Sequence, residues 1–264
     1  IFNDFGPDVR WCGNEAGTAR HAEWAVVPKE LCFRSEVQTG AGPLADEGSL
    51  EYLYNTGSDI GCLHNIMYSK GLVFAPSEVN MSIRPGWFWH EKEEPHSLER
   101  LFRTYLTSVG GNACFNLNLP PDRRGKIDER DVRRLKELGE LLQKEFGSEI
   151  PATVRQLESP YPTQAVFEME FDRVRDDIRY IELREDIAQG QRVESFQIET
   201  EDGDGGRLPF YQGTTIGNRR ICELKDPFAD QDPLTRTFSF EAKKLVIRIT
   251  SARGEVRMKS IKAY

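Results

Sequence analysis

IFNDFGPDVRWCGNE, residues 1–15, is the stretch of this sequence that says most about the fold. It opens with apolar side chains, turns at Gly6-Pro7 and continues through a charged, aromatic segment to Asn14-Glu15. We interpret it as a buried strand whose carboxyl end opens into a loop with functional side chains. In a (β/α)8 barrel the chemistry lies at such strand ends. The alternative is a turn with a few solvated charges, and the rest of the chain is needed to choose between the two.

Strands and helices alternate through the first part of the chain. Residues 79–83 have the two-residue apolar period of a strand, which Pro85-Gly86 ends. Residues 97–109 have helical apolar spacing after a capping serine. A strand at 113–119 and a second helix at 128–146 follow, and this alternation predicts a parallel α/β architecture. The second helix is expected to bury one apolar stripe: Val132, Leu135, Leu138, Leu142 and Phe146.

The long Gly-containing segment between the first two strands, residues 16–64, is predicted to be mostly loop. A loop of this length in a compact domain is usually functional, so we expect it to form one wall of a substrate cleft. Its aromatic residues argue against a disordered insertion, since disordered segments are poor in aromatic side chains.

The sequence changes character near Ile150-Pro151. Beyond this point it has short apolar runs separated by turns, and the acidic, Gly-rich residues 201–206 are typical of a hairpin loop. This pattern predicts a β-sandwich over residues 151–264. The strands are expected at five places: 167–171, 178–183, 194–198, 245–249 and 256–261.

Composition excludes several classes of protein. The net charge is -8 and the pI about 5.3, which disfavours binding to the phosphate backbone of nucleic acid. No apolar run approaches the roughly 18 residues of a membrane span, so no membrane insertion is expected. The 5 cysteines form no CxxC pair and the 4 histidines form no HExxH motif, so neither a metal nor another cofactor is predicted.

Because the chain begins at Ile1 inside an apolar run, we expect it to be the C-terminal part of a longer protein and its N-terminal remainder to be a partner.

Two tryptophans and a histidine follow the end of the second predicted strand. Aromatic rings pack on the apolar faces of sugars, while Arg and His provide directional hydrogen bonds. Arg84, Trp87 and His90 are therefore candidates for sugar contacts. In the alternative interpretation the tryptophans belong to the core, and we expect this of one of the two, Trp87 or Trp89.

Several blocks of this sequence occur together in a known family. They are IFNDFGPDVRWCGNEAG at 1–17, PSEVNMSIRPGWF at 76–88 and LNLPPDRRG at 117–125. In this order they resemble α-L-fucosidases of glycoside hydrolase family 29, most closely the branch that cleaves α-1,3/1,4-linked fucose from branched oligosaccharides. Further segments, at 183–187, 190–193 and 213–217, resemble the C-terminal β-sandwich of that family.

The resemblance implies that residues 1–150 are the second half of a (β/α)8-type catalytic barrel and that residues 151–264 are the β-sandwich. It also implies retaining hydrolysis of a fucosylated oligosaccharide, with two carboxyl groups about 5–5.5 Å apart and a covalent fucosyl-enzyme. The Asp nucleophile of this branch lies in a Trp-Phe-Asp-Gly-like motif, which this sequence does not contain. We therefore expect the nucleophile upstream and this chain alone to be inactive. The family's use of extracellular glycans implies secretion or a periplasmic location.

By the same resemblance, the acid/base is the Glu of Gly13-Asn14-Glu15. Glu78, in the next block, is the alternative to Glu15, and Asp4 and Asp8 are weaker rivals. The expected substrate contacts are Trp11, Arg84, Trp87 and His90, although Arg10 and Trp11 can instead orient the loop. A different class of function also fits, namely a non-catalytic carbohydrate-binding protein derived from a hydrolase.

Overall fold

The computed structural model describes residues 8–31, 57–201, 207–224 and 241–264. The predicted apolar strand before Gly6, together with Asp4, lies outside these residues, as do much of the predicted long loop and the predicted hairpin at 202–206. The chain forms two compact units, Ile1–Gly147 and Ser148–Tyr264. Within the described ranges, no helix combines the length and apolar character needed to cross a membrane. No group of three potential metal-binding side chains occurs in these ranges either.

A three-stranded parallel sheet organises the first unit. It contains β1 (Arg10–Trp11), β4 (Ser77–Ser82) and β5 (Cys114–Asn118), in the order β1-β4-β5. The predicted alternation in β4 is confirmed, because Val79 and Met81 are buried. The segment after Gly6-Pro7, where a loop was expected, contains the two-residue strand β1, and the described loop begins at residue 12. A smaller antiparallel pair, β2 (Val26–Pro28) and β3 (Leu72–Phe74), accompanies this sheet.

Two of the helices of the first unit follow the prediction closely. After the short α1 (Leu63–Tyr68) come α2 (Leu98–Ser108) and α3 (Glu129–Phe146). The side chains of Ser97 and Asp128 cap α2 and α3 by accepting backbone N–H groups, as expected of their residue types. The predicted stripe of α3 is only partly correct, since Val132 is exposed. Asp131 is buried in this helix instead, because its carboxylate pairs with a buried arginine.

The second unit contains two antiparallel sheets. A five-stranded sheet has the order β10-β9-β12-β7-β6 and a three-stranded sheet the order β11-β8-β13. Apolar side chains of both sheets, such as Met169 and Ile247 from one and Ile181 and Leu183 from the other, share one core. The five predicted strands are present with shifted ends, and β6, β10 and β11 add to them. The strands are β6 (Ala152–Leu157), β7 (Ala165–Arg175), β8 (Tyr180–Glu185), β9 (Val193–Glu201), β10 (Arg207–Gly213), β11 (Arg220–Glu223), β12 (Ala242–Ala252) and β13 (Met258–Ala263).

Candidate active site

Two loops meet at the carboxyl edge of the parallel sheet. We call them the Glu15 loop, residues 12–25 after β1, and the Trp87 loop, residues 83–96 after β4. The indole Nε1 of Trp87 donates a hydrogen bond to Oε2 of Glu15 at 2.8 Å. Glu15 is otherwise exposed and Trp87 is half-buried. Two residues predicted from separate sequence blocks are therefore in direct contact at the edge where parallel α/β folds place their ligands.

Hydrogen bonds of the Asn14 side chain fix the backbone of the Glu15 loop. Oδ1 of Asn14 accepts the backbone N–H groups of Ala16 at 3.0 Å and Thr18 at 3.2 Å. Nδ2 of Asn14 donates to the carbonyl of Thr18 at 2.8 Å. Gly17 has φ +82°, and a Cβ there would lie 2.9 Å from the Met81 sulfur. The backbone on both sides of Glu15 is thus tightly constrained before any ligand binds.

A buried ion pair anchors the same loop to β1. Arg10 and Glu23 are each 0% exposed in their side chains, and the Arg10 guanidinium donates to the Glu23 carboxylate. The same guanidinium reaches the carbonyl of Trp24 at 3.1 Å. Arg20 adds a hydrogen bond to the carbonyl of Cys12 at 2.9 Å. These contacts fit the expectation that Arg10 orients the loop.

Arg84 holds the Trp87 loop from inside the protein. Its side chain is 0% exposed, and Nε lies 2.9 Å and 3.1 Å from the two carboxylate oxygens of Asp131. Its Nη1 donates to the carbonyls of His90 and Glu93, and its Nη2 is 3.3 Å from the carboxylate of Asp128. This placement disfavours the predicted sugar contact of Arg84, because its guanidinium has no exposed surface and already has these acceptors as partners.

The other anchors of the Trp87 loop come from β5 and the start of α3. Asn118 donates to the carbonyl of Trp87 at 3.0 Å, and the indole of Trp89 donates to Asp128 at 2.9 Å. Hydrogen bonds from the Arg130 side chain and backbone, and then from Trp89, hold the pKa of Asp128 well below its usual range. Of the two tryptophans, Trp89 therefore stabilises the loop through Asp128, and Trp87 contacts Glu15.

The remaining predicted residues lie elsewhere. Trp11 donates from its indole to Asn80 at 3.0 Å. Glu78 accepts from Asn116 at 3.3 Å, and it pairs with Trp11 in the sheet. It lies four residues before the end of β4, roughly 13 Å from that edge at about 3.3 Å per residue. His90 is exposed, and the pocket described next does not include it among its lining residues.

A pocket of about 190 Å³ opens beside the hydrogen bond between Trp87 and Glu15. Two of its lining residues, His96 and Arg100, were not singled out from the sequence. Burial, followed by the charge of Arg100, lowers the pKa of His96. The signal that could have identified them is their place at the start of α2, the helix that follows the Trp87 loop. The full lining is Glu15, Met81, Ser82, Arg84, Pro85, Trp87, His96 and Arg100.

Comparison with known proteins assigns a family to this architecture. The family described as alpha-L-fucosidase matches residues 1–146 of the chain. This range is more than half of the 264 residues and contains both loops. This chain belongs to the alpha-L-fucosidase family. The resemblance to glycoside hydrolase family 29 inferred from the sequence blocks is thereby confirmed.

Relatives of this alpha-L-fucosidase family member are considerably longer. Alpha-L-fucosidase 1 of Arabidopsis thaliana is 32% identical over 251 residues, covering 85% of this chain and 45% of the Arabidopsis protein. The crystal structure of a candidate alpha-L-fucosidase from Bacteroides ovatus is 32% identical, with a TM-score of 0.74 over 98% of this chain and 41% of its own. A GH29 fucosidase of Ruminococcus gnavus, solved in complex with fucose, shares the fold at 22% identity, with a TM-score of 0.73 over 97% of this chain and 50% of its own. The chain spans half or less of each of these relatives.

The number of carboxylates that line the pocket of this alpha-L-fucosidase family chain is relevant to how such enzymes work. Glu15 lines the pocket, and no second carboxylate from the described residues does so. Glycosidases use two carboxyl groups, one on each side of the scissile bond. Among the described residues, Glu15 is the one carboxylate that lines this pocket.

Proposed function

We propose that this chain contributes the acid/base side of a retaining α-L-fucosidase that removes terminal α-L-fucose, preferentially α-1,3/1,4-linked, from oligosaccharides. The observation that carries the proposal is the hydrogen bond from Trp87 to Glu15. It joins two separate family blocks in a pocket at the carboxyl edge of a parallel sheet, where barrel enzymes place their chemistry. Family membership and the length of the relatives support it.

In this proposal Glu15 first protonates the glycosidic oxygen of the leaving sugar. After the leaving sugar departs, Glu15 takes a proton from the water that attacks the fucosyl-enzyme. An aspartate outside this chain acts as the nucleophile, about 5–5.5 Å from Glu15. Residues 1–150 form the second half of the catalytic barrel, residues 151–264 form the β-sandwich, and the chain alone is inactive.

The other predicted residues take different roles in the proposal. Trp87 packs on the sugar and orients Glu15, while Trp11 and His90 remain candidates for contacts to substrate. Arg84 acts as a support of the Trp87 loop because its guanidinium is committed to Asp131. Glu78 is the less favoured acid/base, since it lies four residues before the end of β4, does not line the pocket and is engaged by Asn116.

Hydrolysis of α-L-fucosides by the full-length protein tests this assignment. Glu15→Gln should abolish turnover of natural oligosaccharides and retain partial turnover of fucosides with activated leaving groups, which need no acid. Azide should increase the rate of the variant by replacing the water that the missing base no longer activates. Glu78→Gln is the matched control and should retain most activity.

Two other results would change the proposed assignment. Normal activity in Glu15→Gln, with loss in Glu78→Gln, would transfer the role to Glu78. If the wild type hydrolyses no fucoside of any linkage but binds fucosylated oligosaccharides, the protein is a carbohydrate-binding relative of the hydrolases. The single carboxylate at the pocket among the described residues is the observation that favours this second function.

A further inference from the structure

Besides Arg84, two basic residues line the pocket that contains Glu15, and the proposed chemistry does not use them. His96 precedes α2 and Arg100 lies in its first turn, and both line the pocket together with Glu15 and Trp87. We propose that His96 and Arg100 form a subsite for an anionic substituent, a carboxylate or a sulfate ester, on the oligosaccharide that leaves from fucose. The proposal rests on the proposed function of Glu15.

Arg100 differs from the neighbouring arginines in its lack of an acidic partner. Arg103, one turn later on α2, pairs with Glu99, and Arg134 pairs with Glu137. In the part of the chain that the structure describes, the guanidinium of Arg100 has neither an ion pair nor a side-chain hydrogen bond. The Arg100 side chain is exposed at the pocket, so its guanidinium is accessible to a ligand of opposite charge.

The position of the pair indicates which part of the substrate it meets. A general acid must lie within hydrogen-bond reach of the glycosidic oxygen, so the groups around Glu15 lie close to the bond between fucose and its leaving sugar. Fucose itself is uncharged and offers no partner for a guanidinium. An anion matching this pair therefore has to be carried by the leaving part of the substrate.

The chemistry of the two side chains fits carboxylates and sulfate esters. A guanidinium presents parallel N–H donors that match the two oxygens of such groups, and hydrogen bonds between charged partners are the stronger kind. His96 is half-buried and also lines the pocket, and its imidazole is a residue type that can donate a hydrogen bond to such an anion. An anion on the substrate would pair with the Arg100 guanidinium, which has no acidic partner among the described residues.

The test compares kcat/KM of the full-length protein on three oligosaccharides that share one fucosyl linkage. One is neutral, one carries a carboxylate on the leaving part and one carries a sulfate ester there. We expect the wild type to prefer at least one anionic substrate, and Arg100→Gln to lower the ratio of anionic to neutral kcat/KM about three- to fivefold. The wild-type preference should shrink as salt rises, because the ions screen exposed charges. Whether the carboxylate or the sulfate shows the effect identifies the source of the anion.

Arg103→Gln is the matched control, because it removes the same charge from the same helix at a residue that does not line the pocket. The ratio should remain at the wild-type value in this variant. Equal ratios in the wild type and Arg100→Gln for both anionic substrates would overturn the subsite. Absence of turnover on the neutral substrate as well would instead contradict the proposed function, so the two failures are distinguishable.

Discussion

Replacing Arg84 with methionine should destabilise the protein and loosen the Trp87 loop. The guanidinium occupies a site with no exposed surface and lies within 3.1 Å of both oxygens of the equally buried Asp131. Methionine fills much of the same volume but leaves the Asp131 carboxylate buried and unpaired. Removing one partner of such a pair costs about 3–5 kcal/mol in the free energy of unfolding. The carbonyls of His90 and Glu93 lose their donor at the same time.

Urea denaturation of the full-length protein measures this loss, and hydrogen–deuterium exchange of peptides covering residues 85–95 locates it. Exchange in these peptides should accelerate in Arg84→Met. The double variant Arg84→Met/Asp131→Leu removes both charges and should regain most of the lost stability. Arg124→Met, at an arginine 73% exposed beside Asp122, is the control and should change little. A loss below about 1 kcal/mol in Arg84→Met would refute the reasoning, because the buried carboxylate of Asp131 would then have found another partner.

Two further substitutions test other parts of the structure. Gly17→Ala should lower the free energy of unfolding by about 2 kcal/mol and reduce kcat, since φ +82° is strained for alanine and its Cβ would press on Met81. Urea denaturation and turnover by the full-length protein check this, and an unchanged kcat would mean that Glu15 tolerates the shift. In the second unit, burial raises the pKa of Glu185 above its usual 4.5, so its contribution to stability is fully present below about pH 4.5 and is lost as pH rises through the folded pKa. The wild type should therefore gain stability relative to Glu185→Gln when pH is lowered from 7 to 5 in thermal denaturation, and a constant difference would contradict the raised pKa.

Local sequence signals were sufficient for α2 and α3 and for the strands β4, β5, β7, β8, β9, β12 and β13, whereas α1, β2 and β3 were not predicted. Ser97 and Asp128 precede apolar residues at helical spacing, and both cap the helices that follow them. By contrast, β10 was missed because Pro209 interrupts its pattern, and proline is tolerated there since β10 is an edge strand. β1 was not predicted because two residues are too short for a period, and their strand conformation depends on pairing with β4.

The sequence blocks shared with the family identified part of the candidate site. They did not identify the contacts that form only when the chain packs. The blocks suggested Glu15 and Trp87, which are in contact. They also suggested Arg84 as a sugar ligand, because an arginine beside tryptophans is typical of such sites. Its actual partner Asp131 lies 47 residues away and is presented by a different element. No local pattern encodes that distance, so only the folded chain reveals the role of Arg84.

The dependence of the Trp87 loop on α3 has a consequence for how the protein is synthesised. The acidic anchors of the loop, Asp128 and Asp131, leave the ribosome well after Trp87 itself. Until they dock, the guanidinium of Arg84 has no buried carboxylate to bind, and the loop lacks part of its support. A nascent chain that ends between β5 and α3 already contains Glu15, Trp87 and the β5 anchor Asn118, yet it lacks both carboxylates that hold Arg84. The Trp87 loop therefore gains its full set of anchors only when α3 has been translated.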